Sequence, residues 1–188
     1  MSYLDAFWLP VPVKITDRIS SVTNAFISSI IPVILPSEAE VEQSLTILAL
    51  DPADLRCAYC GDKASEWDHL RPLVVKQRPT GYISEIRNLV PSCGKCNQSK
   101  GNKEWRVWVS SGARHSPQSR RIPDLAVRIQ RLERYESWQP TPKPLDLQSL
   151  IGDELWSKHW DNWTSLLDAI RSCQQHAQQI ANKLRNAA

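Results

Sequence analysis

The stretch "CAYCGDKASEWDHLRPLV", residues 57–74, sets a C-x-x-C pair just ahead of an acid–histidine pair, Asp68-His69. A second C-x-x-C, "CGKC", follows at residues 93–96, with 32 residues between the two pairs. Zinc takes four tetrahedral ligands, and each C-x-x-C turn presents two thiolates to one metal. Cys57, Cys60, Cys93 and Cys96 therefore close a complete shell, and a closed four-cysteine site is structural because no position is left for substrate. A redox pair would need only one such motif and a thioredoxin-like context, which is absent. With the zinc shell complete, Asp68 and His69 stand outside it, either as a catalytic pair or as ordinary structural or surface residues. Adjacent residues on a strand point to opposite faces, so the two converge only if the backbone bends there.

Outward from this unit, the pattern predicts an α+β chain, mostly helical. "EWDHLRPLVV" and "YISEIRNLV" have strand-like composition, with turn residues in "RPTG" between them. A short helix is expected from Cys96 through "NQSK", and Trp105 and Trp108 are expected to pack over the small zinc core. Ile19, Val22, Phe26 and Ile30 recur at helical spacing, and Pro32 and Pro36 break the run. A second helix opens with Ser37 and Glu40 at capping-box spacing. Residues 123–136 predict another helix, with Pro123 in its first position and Arg128, Arg131 and Arg134 along one face. "QPTPKPLDL", residues 139–147, is a linker or an extended strap. Leu166, Ile170, Cys173, Ala177, Ile180 and Leu184 form an apolar stripe on one or two C-terminal helices, with Cys173 expected to be buried and without a metal role. The expected domains are a helical N-terminal appendage at 1–50, a core at 51–136, a Pro-rich linker at 137–147 and a C-terminal helical segment at 148–188.

Net charge is +3, but its distribution is uneven. Residues 1–70 carry 4 Lys/Arg against 10 Asp/Glu, residues 71–134 carry 14 against 4, and residues 135–188 carry 5 against 6. The cationic segment begins right after the Asp-His pair. It is either a footprint for a polyanion or a solvated basic surface. No export signal or membrane span is read, so a cytoplasmic location with reduced thiols is expected.

The run of C-x-x-C (57–60), "DH" (68–69), "NLVPSC" (88–93) and "CNQSKG" (96–101) resembles the HNH endonuclease family of ββα-metal nucleases. The likeness covers about 45 residues and implies a core of β-hairpin plus helix stapled by the four-cysteine zinc, between the helical appendages. It implies that His69 is the general base, that Asn88 braces the loop and helps hold His69, and that Asp68 and Asn97 are ligands of a catalytic divalent cation. Many members have His where this chain has Asn97. Two oxygen ligands, with the rest of the shell left to water and phosphate, suit Mg²⁺, and Mn²⁺ should substitute. Outside the resemblance, His69 reads as a structural histidine, Asn88 as a turn residue and Asn97 as a helix N-cap. Arg71, Lys95, Lys100 and Lys103 are expected DNA contacts, or else solvated surface charges.

The expected function is thus hydrolysis of phosphodiester bonds in double-stranded DNA, leaving a 5′-phosphate and a 3′-hydroxyl as the resemblance implies. A homodimeric, restriction-type enzyme without membrane association is favoured, because two symmetric sites cut both strands of a palindrome. The alternatives are a less specific nuclease (toxin, phage or partner-directed defence enzyme) and a non-catalytic zinc-stabilised DNA-binding module.

Overall fold

A computed structural model describes residues 3–187. More than half of the chain is helical, with small two-stranded sheets. It divides into two compact units, residues 27–147 and residues 1–26 with 148–188.

In the unit 27–147, helix α2 (Glu38–Leu48; α1 is Ile19–Ser28) starts at the capping box read from sequence. Ser37 Oγ accepts from Glu40 N at 3.3 Å, and Glu40 Oε2 accepts from Ser37 N at 3.0 Å, which satisfies two otherwise orphaned donors. Its buried Leu45 and Leu48 pack toward α5 (Leu125–Glu136). Helix α5 begins two residues later than Pro123 predicts. Asp124 is its N-cap, but the Asp124 carboxylate is held by Arg128 at 2.8 Å and caps no backbone group.

Strand β1 (Glu66–His69) pairs antiparallel with β4 (Leu89–Ser92), placing Asp68 opposite Val90 and His69 opposite Leu89. Helix α3 (Gly94–Lys100) follows at once, so β1, β4 and α3 make a ββα unit. The turn residues expected in "RPTG" do not make the hairpin turn of the β1–β4 connection, since Arg78 and Pro79 belong to a strand. That connection carries its own short ladder, β2 (Val74–Val75) with β3 (Arg78–Pro79), and the turn is Lys76-Gln77.

Helix α4 (Trp105–Val109) brings Trp105 and Trp108 fully into the core. Trp108 packs edge-on against the buried Tyr59 ring at 5.1 Å, and its indole donates to Ser99 Oγ at 3.0 Å. The tryptophans therefore cover the cysteine knuckle from behind, with their N–H groups satisfied. The strap at 139–147 lies along the loop: Leu145 N donates to Gly81 O at 2.9 Å. Gly81 has φ +89°, and a Cβ there would come within 2.4 Å of Leu145 O, so only glycine fits this crossing.

Helix α6 (Leu147–Ile151) starts at the boundary in sequence, and Gly152 at φ +86° ends it before α7 (Asp153–Ala187) of the other unit begins. The shielded line of α7 runs through Trp156, Trp160, Trp163, Leu167, Ile170, Gln174, Ala177 and Ala181, alternating steps of four and three. Trp163 Nε1 donates to Thr23 Oγ1 at 3.1 Å, and Gln174 Oε1 accepts from Ile15 N at 2.7 Å. This line is rotated from the stripe read in the sequence. Leu166 (41% exposed), Ile180 (50%) and Leu184 (66%) face outward, and Cys173, expected to be buried, is exposed. The tryptophans at 156, 160 and 163 set the phase, because their large rings claim the covered side. No described helix is long and apolar enough to cross a membrane.

Candidate active site and metal centre

The two C-x-x-C turns meet. The sulfurs of Cys57, Cys60, Cys93 and Cys96 lie within 4.8 Å of one another, all four residues are buried, and Cys60 and Cys93 are 3.7 Å apart. Four Zn–S bonds of about 2.3 Å in a tetrahedron put sulfurs about 3.8 Å apart, so the arrangement fits zinc and is too wide for a disulfide. Hydrogen bonds from Cys60 and Cys96 pull the Cys57 thiol down to about 3, and the same bonds push those two thiols up. The outer contacts favour negative sulfur. Arg120 Nη1 lies 3.7 Å from Cys96 Sγ while its other nitrogen pairs with Asp62 at 2.7 Å. Arg128 reaches from α5 to donate to Cys57 O at 3.2 Å. Among the described residues this is the one cluster of three or more metal-ligating side chains.

Asp68 and His69 leave β1 toward different partners. Asp68 is buried, accepting from Tyr59 OH at 2.6 Å and pairing with Lys100 Nζ at 3.0 Å. Burial raises the Asp68 carboxyl above its ordinary value against the pull of Lys100 and Tyr59. Lys100 Nζ also donates to His69 O at 2.6 Å. One ammonium thus holds both residues of the pair against α3. His69 is half-buried, with Nε2 2.8 Å from Ser84 Oγ. Burial, with Lys100 nearby, lowers its pKa to about 4, so the imidazole is neutral near pH 7 and a weaker base than an ordinary histidine. Ser84 is itself fixed, since its N donates to Pro32 O at 3.0 Å and its O accepts from Ile34 N at 2.8 Å.

Asn88 is fully buried beside this pair. Its Oδ1 accepts from Arg71 N at 2.8 Å, and its Nδ2 donates to Arg71 O and Ile83 O, both at 3.2 Å. It clamps the two ends of the loop that holds the β2–β3 ladder. Asn97 lies inside α3, whose N-cap is Cys93, so the N-cap reading of Asn97 does not hold. Its Nδ2 donates to Glu66 Oε2 at 2.7 Å, and it is not paired with Asp68. Glu66 and Asp68, two apart on β1, face Asn97 and Lys100, three apart on α3. Asn97 thus lies with Glu66, whereas Tyr59 and Lys100 take up the Asp68 carboxylate, so the structure does not bring Asp68 and Asn97 together around one cation.

The basic residues divide. Lys100 is fully buried in the Asp68 pair, so it does not reach a phosphate at the surface. The Arg71 side chain is largely covered: it lies over the Tyr82 ring and donates to Glu136 O at 2.9 Å, which also takes it out of the set of free surface cations. Lys95 is exposed, as is Lys103, whose Nζ donates to Ser99 O at 2.8 Å at the end of α3. Sequence reading missed Tyr59, Ser84, Glu66 and the pairing role of Lys100. Only Lys100 left a trace there, in its spacing of three from Asn97.

Residues 57–103 match the family model of the HNH endonucleases. A stretch of 60 residues is 38% identical to the CRISPR-associated endonuclease Cas9 of Corynebacterium diphtheriae (strain ATCC 700971 / NCTC 13129 / Biotype gravis). That match takes in 30% of this chain and only 5% of the relative's length. No solved structure matches the chain. Residues 57–103 are thus an HNH endonuclease domain, and its four cysteines fit the zinc-binding variant.

Proposed function

We propose that the chain is a metal-dependent endonuclease that hydrolyses double-stranded DNA at specific sites. The observation that carries this reading is the half-buried His69, held on Ser84 beside Asp68, inside the matched HNH segment. His69 takes the proton of the attacking water, the role that the matched HNH segment implies for it. Ser84, on its Nε2, orients the ring, and Asn88 keeps the loop ends from moving away from it. Asp68 and Asn97, with Glu66 beside Asn97, would hold Mg²⁺ or Mn²⁺, in exchange for the Lys100 contact of Asp68, and the ion would supply charge neutralisation at the phosphate and at the leaving oxygen. The zinc knuckle holds the scaffold, and Lys95 and Lys103 meet the DNA backbone.

Two copies, each cutting one strand, give the restriction-type outcome. The outward Leu166, Ile180 and Leu184 offer an apolar contact for such a dimer. A second reading, a nuclease directed to DNA by a partner, is favoured by likeness to a relative of which the match spans only 5%. The test is digestion of a plasmid of known sequence with Mg²⁺. Discrete fragments support the site-specific reading, and a smear supports a less specific nuclease. His69→Ala should abolish cutting while leaving DNA binding intact, and cutting at the wild-type rate would remove His69 as the base.

A further inference from the structure

The β2–β3 ladder inserted between His69 and Asn88 has a turn that its sequence does not favour. Lys76 and Gln77 form a two-residue hairpin loop between Val75 and Arg78, with φ of 49° and 62°. Two positive φ values in a two-residue loop make the I′ geometry, for which Asn-Gly, Asp-Gly and Gly-Gly are strongly preferred. Long side chains with a Cβ sit poorly there. The turn carries one local support, since Arg78 Nη1 donates to Gln77 O at 3.1 Å. Lys76 and Gln77 are exposed, and among the described residues neither has a side-chain hydrogen bond or ion pair. Arg78, the next residue, is exposed too.

The base of the hairpin is held firmly. Thr80 Oγ1 donates to Pro72 O at 2.7 Å and Thr80 N to Leu73 O at 2.9 Å, while Gly81 is locked against the strap at Leu145. Both ends return to His69: the chain leaves from it, and Ser84 comes back to bond its ring. The result is a fixed base at the catalytic histidine and a tip that presents an ammonium, an amide and a guanidinium outward.

We propose that hairpin 74–79 is a DNA-reading ribbon, with Lys76, Gln77 and Arg78 contacting groove edges and phosphates next to the bond at His69. The proposal rests on the DNA-cleavage reading above. The strained turn at a functional tip motivates it, and the side-chain chemistry names the partner. A two-stranded ribbon fits the major groove of duplex DNA, Arg and Gln pair with guanine and adenine edges, and Lys pairs with phosphate. Lys76 is seven residues from His69, so it reaches at most about 24 Å. That is less than one DNA turn of about 34 Å, so the contacts fall within about seven base pairs of the cut.

The test uses the full chain carrying His69→Ala, so that a duplex of about 40 base pairs, longer than the roughly 14 base pairs of contact expected on both sides of a cut, survives the measurement. Lys76→Asn/Gln77→Gly installs the favoured turn. It should keep zinc and raise the thermal midpoint by about 2–4 °C. Yet it should weaken duplex binding about tenfold or more, with the salt slope of log K smaller by about 1. Arg78→Ala should weaken binding similarly with no change in midpoint. Opposite signs for stability and affinity are the result expected of a contact residue. Unchanged affinity in both variants overturns the proposal while leaving cleavage by the wild-type chain intact. Affinity lost only together with zinc or midpoint makes the hairpin structural and also overturns it. Tighter binding of the wild-type hairpin to single-stranded RNA than to duplex DNA overturns the partner. A wild-type chain, zinc-loaded, that neither binds nor cuts duplex DNA removes the cleavage reading and the ribbon together.

Discussion

The two ends of the HNH domain are built on opposite terms. At the cysteine end, four thiols converge on one centre, Arg120 and Arg128 reach in from later in the chain, and Trp108 and Tyr59 close the back. At the loop end, the β2–β3 hairpin carries Lys76, Gln77 and Arg78 into solvent in a conformation that costs the chain energy. Strand β1 links them: Asp68 is tied to the cysteine end through Tyr59, and His69 to the loop end through Ser84. The contrast separates scaffold from contact. One end gathers four buried thiols that fit a zinc ion, whereas the other leaves Lys76, Gln77 and Arg78 exposed.

The largest effect should come from breaking the scaffold end. Cys60→Ser removes one of four ligands, and structural zinc carries about 10–16 kcal/mol of apparent binding energy in small metal-folded units. Metal analysis should show zinc falling well below one per chain, and melting should show the domain of residues 57–103 lost. A variant that keeps one zinc and the wild-type midpoint would show that the cysteines do not form the frame.

An intermediate effect should come from the strand between the ends. Lys100→Met strands the buried Asp68 carboxylate, and loss of one partner of a buried pair costs about 3–5 kcal/mol. Asp68→Leu/Lys100→Met should recover part of that loss, because both desolvated charges are gone while the Tyr59 hydroxyl and the His69 carbonyl each lose a partner. Denaturant unfolding of the two single variants and the double variant measures the coupling. A cost under about 1 kcal/mol for Lys100→Met would mean that the ammonium does not hold Asp68 in solution.

The smallest effect on folding should come from the outward side of α7. Cys173→Ser and Leu166→Gln/Leu184→Gln alter exposed positions and should move unfolding by no more than about 0.5 kcal/mol. Sedimentation of the same variants checks the proposed dimer. It should shift the leucine pair toward monomer, and an unaltered oligomeric state would take those residues out of the contact.

Much of this was legible in the residues because some signals are chemically narrow. Two C-x-x-C pairs admit few readings, and the Ser37/Glu40 box and the proline breaks mark helix ends by local hydrogen bonding alone. Other signals are degenerate. On α7 two apolar lines one position apart both have heptad spacing and share Ile170 and Ala177, and bulky tryptophans choose between them only through packing. The turn in the β1–β4 loop was misplaced because Lys76-Gln77 carries no turn signature, while "RPTG" does. Lys100 looked like one more surface cation because nothing local shows that Asp68 and Tyr59 enclose it.

By itself, then, the sequence determined the zinc frame, the order strand–strand–helix and the location of Asp68, His69, Asn88 and Asn97, since each follows from short-range spacing or a recognisable motif. Tertiary structure alone decided that Lys100 belongs to Asp68, that Ser84 holds His69, that Asn97 lies against Glu66, and which side of α7 is covered. Those choices depend on which distant groups share a buried space. Burial makes a carboxylate need a partner and a bulky ring need cover, and neither need is visible until the chain has closed around it.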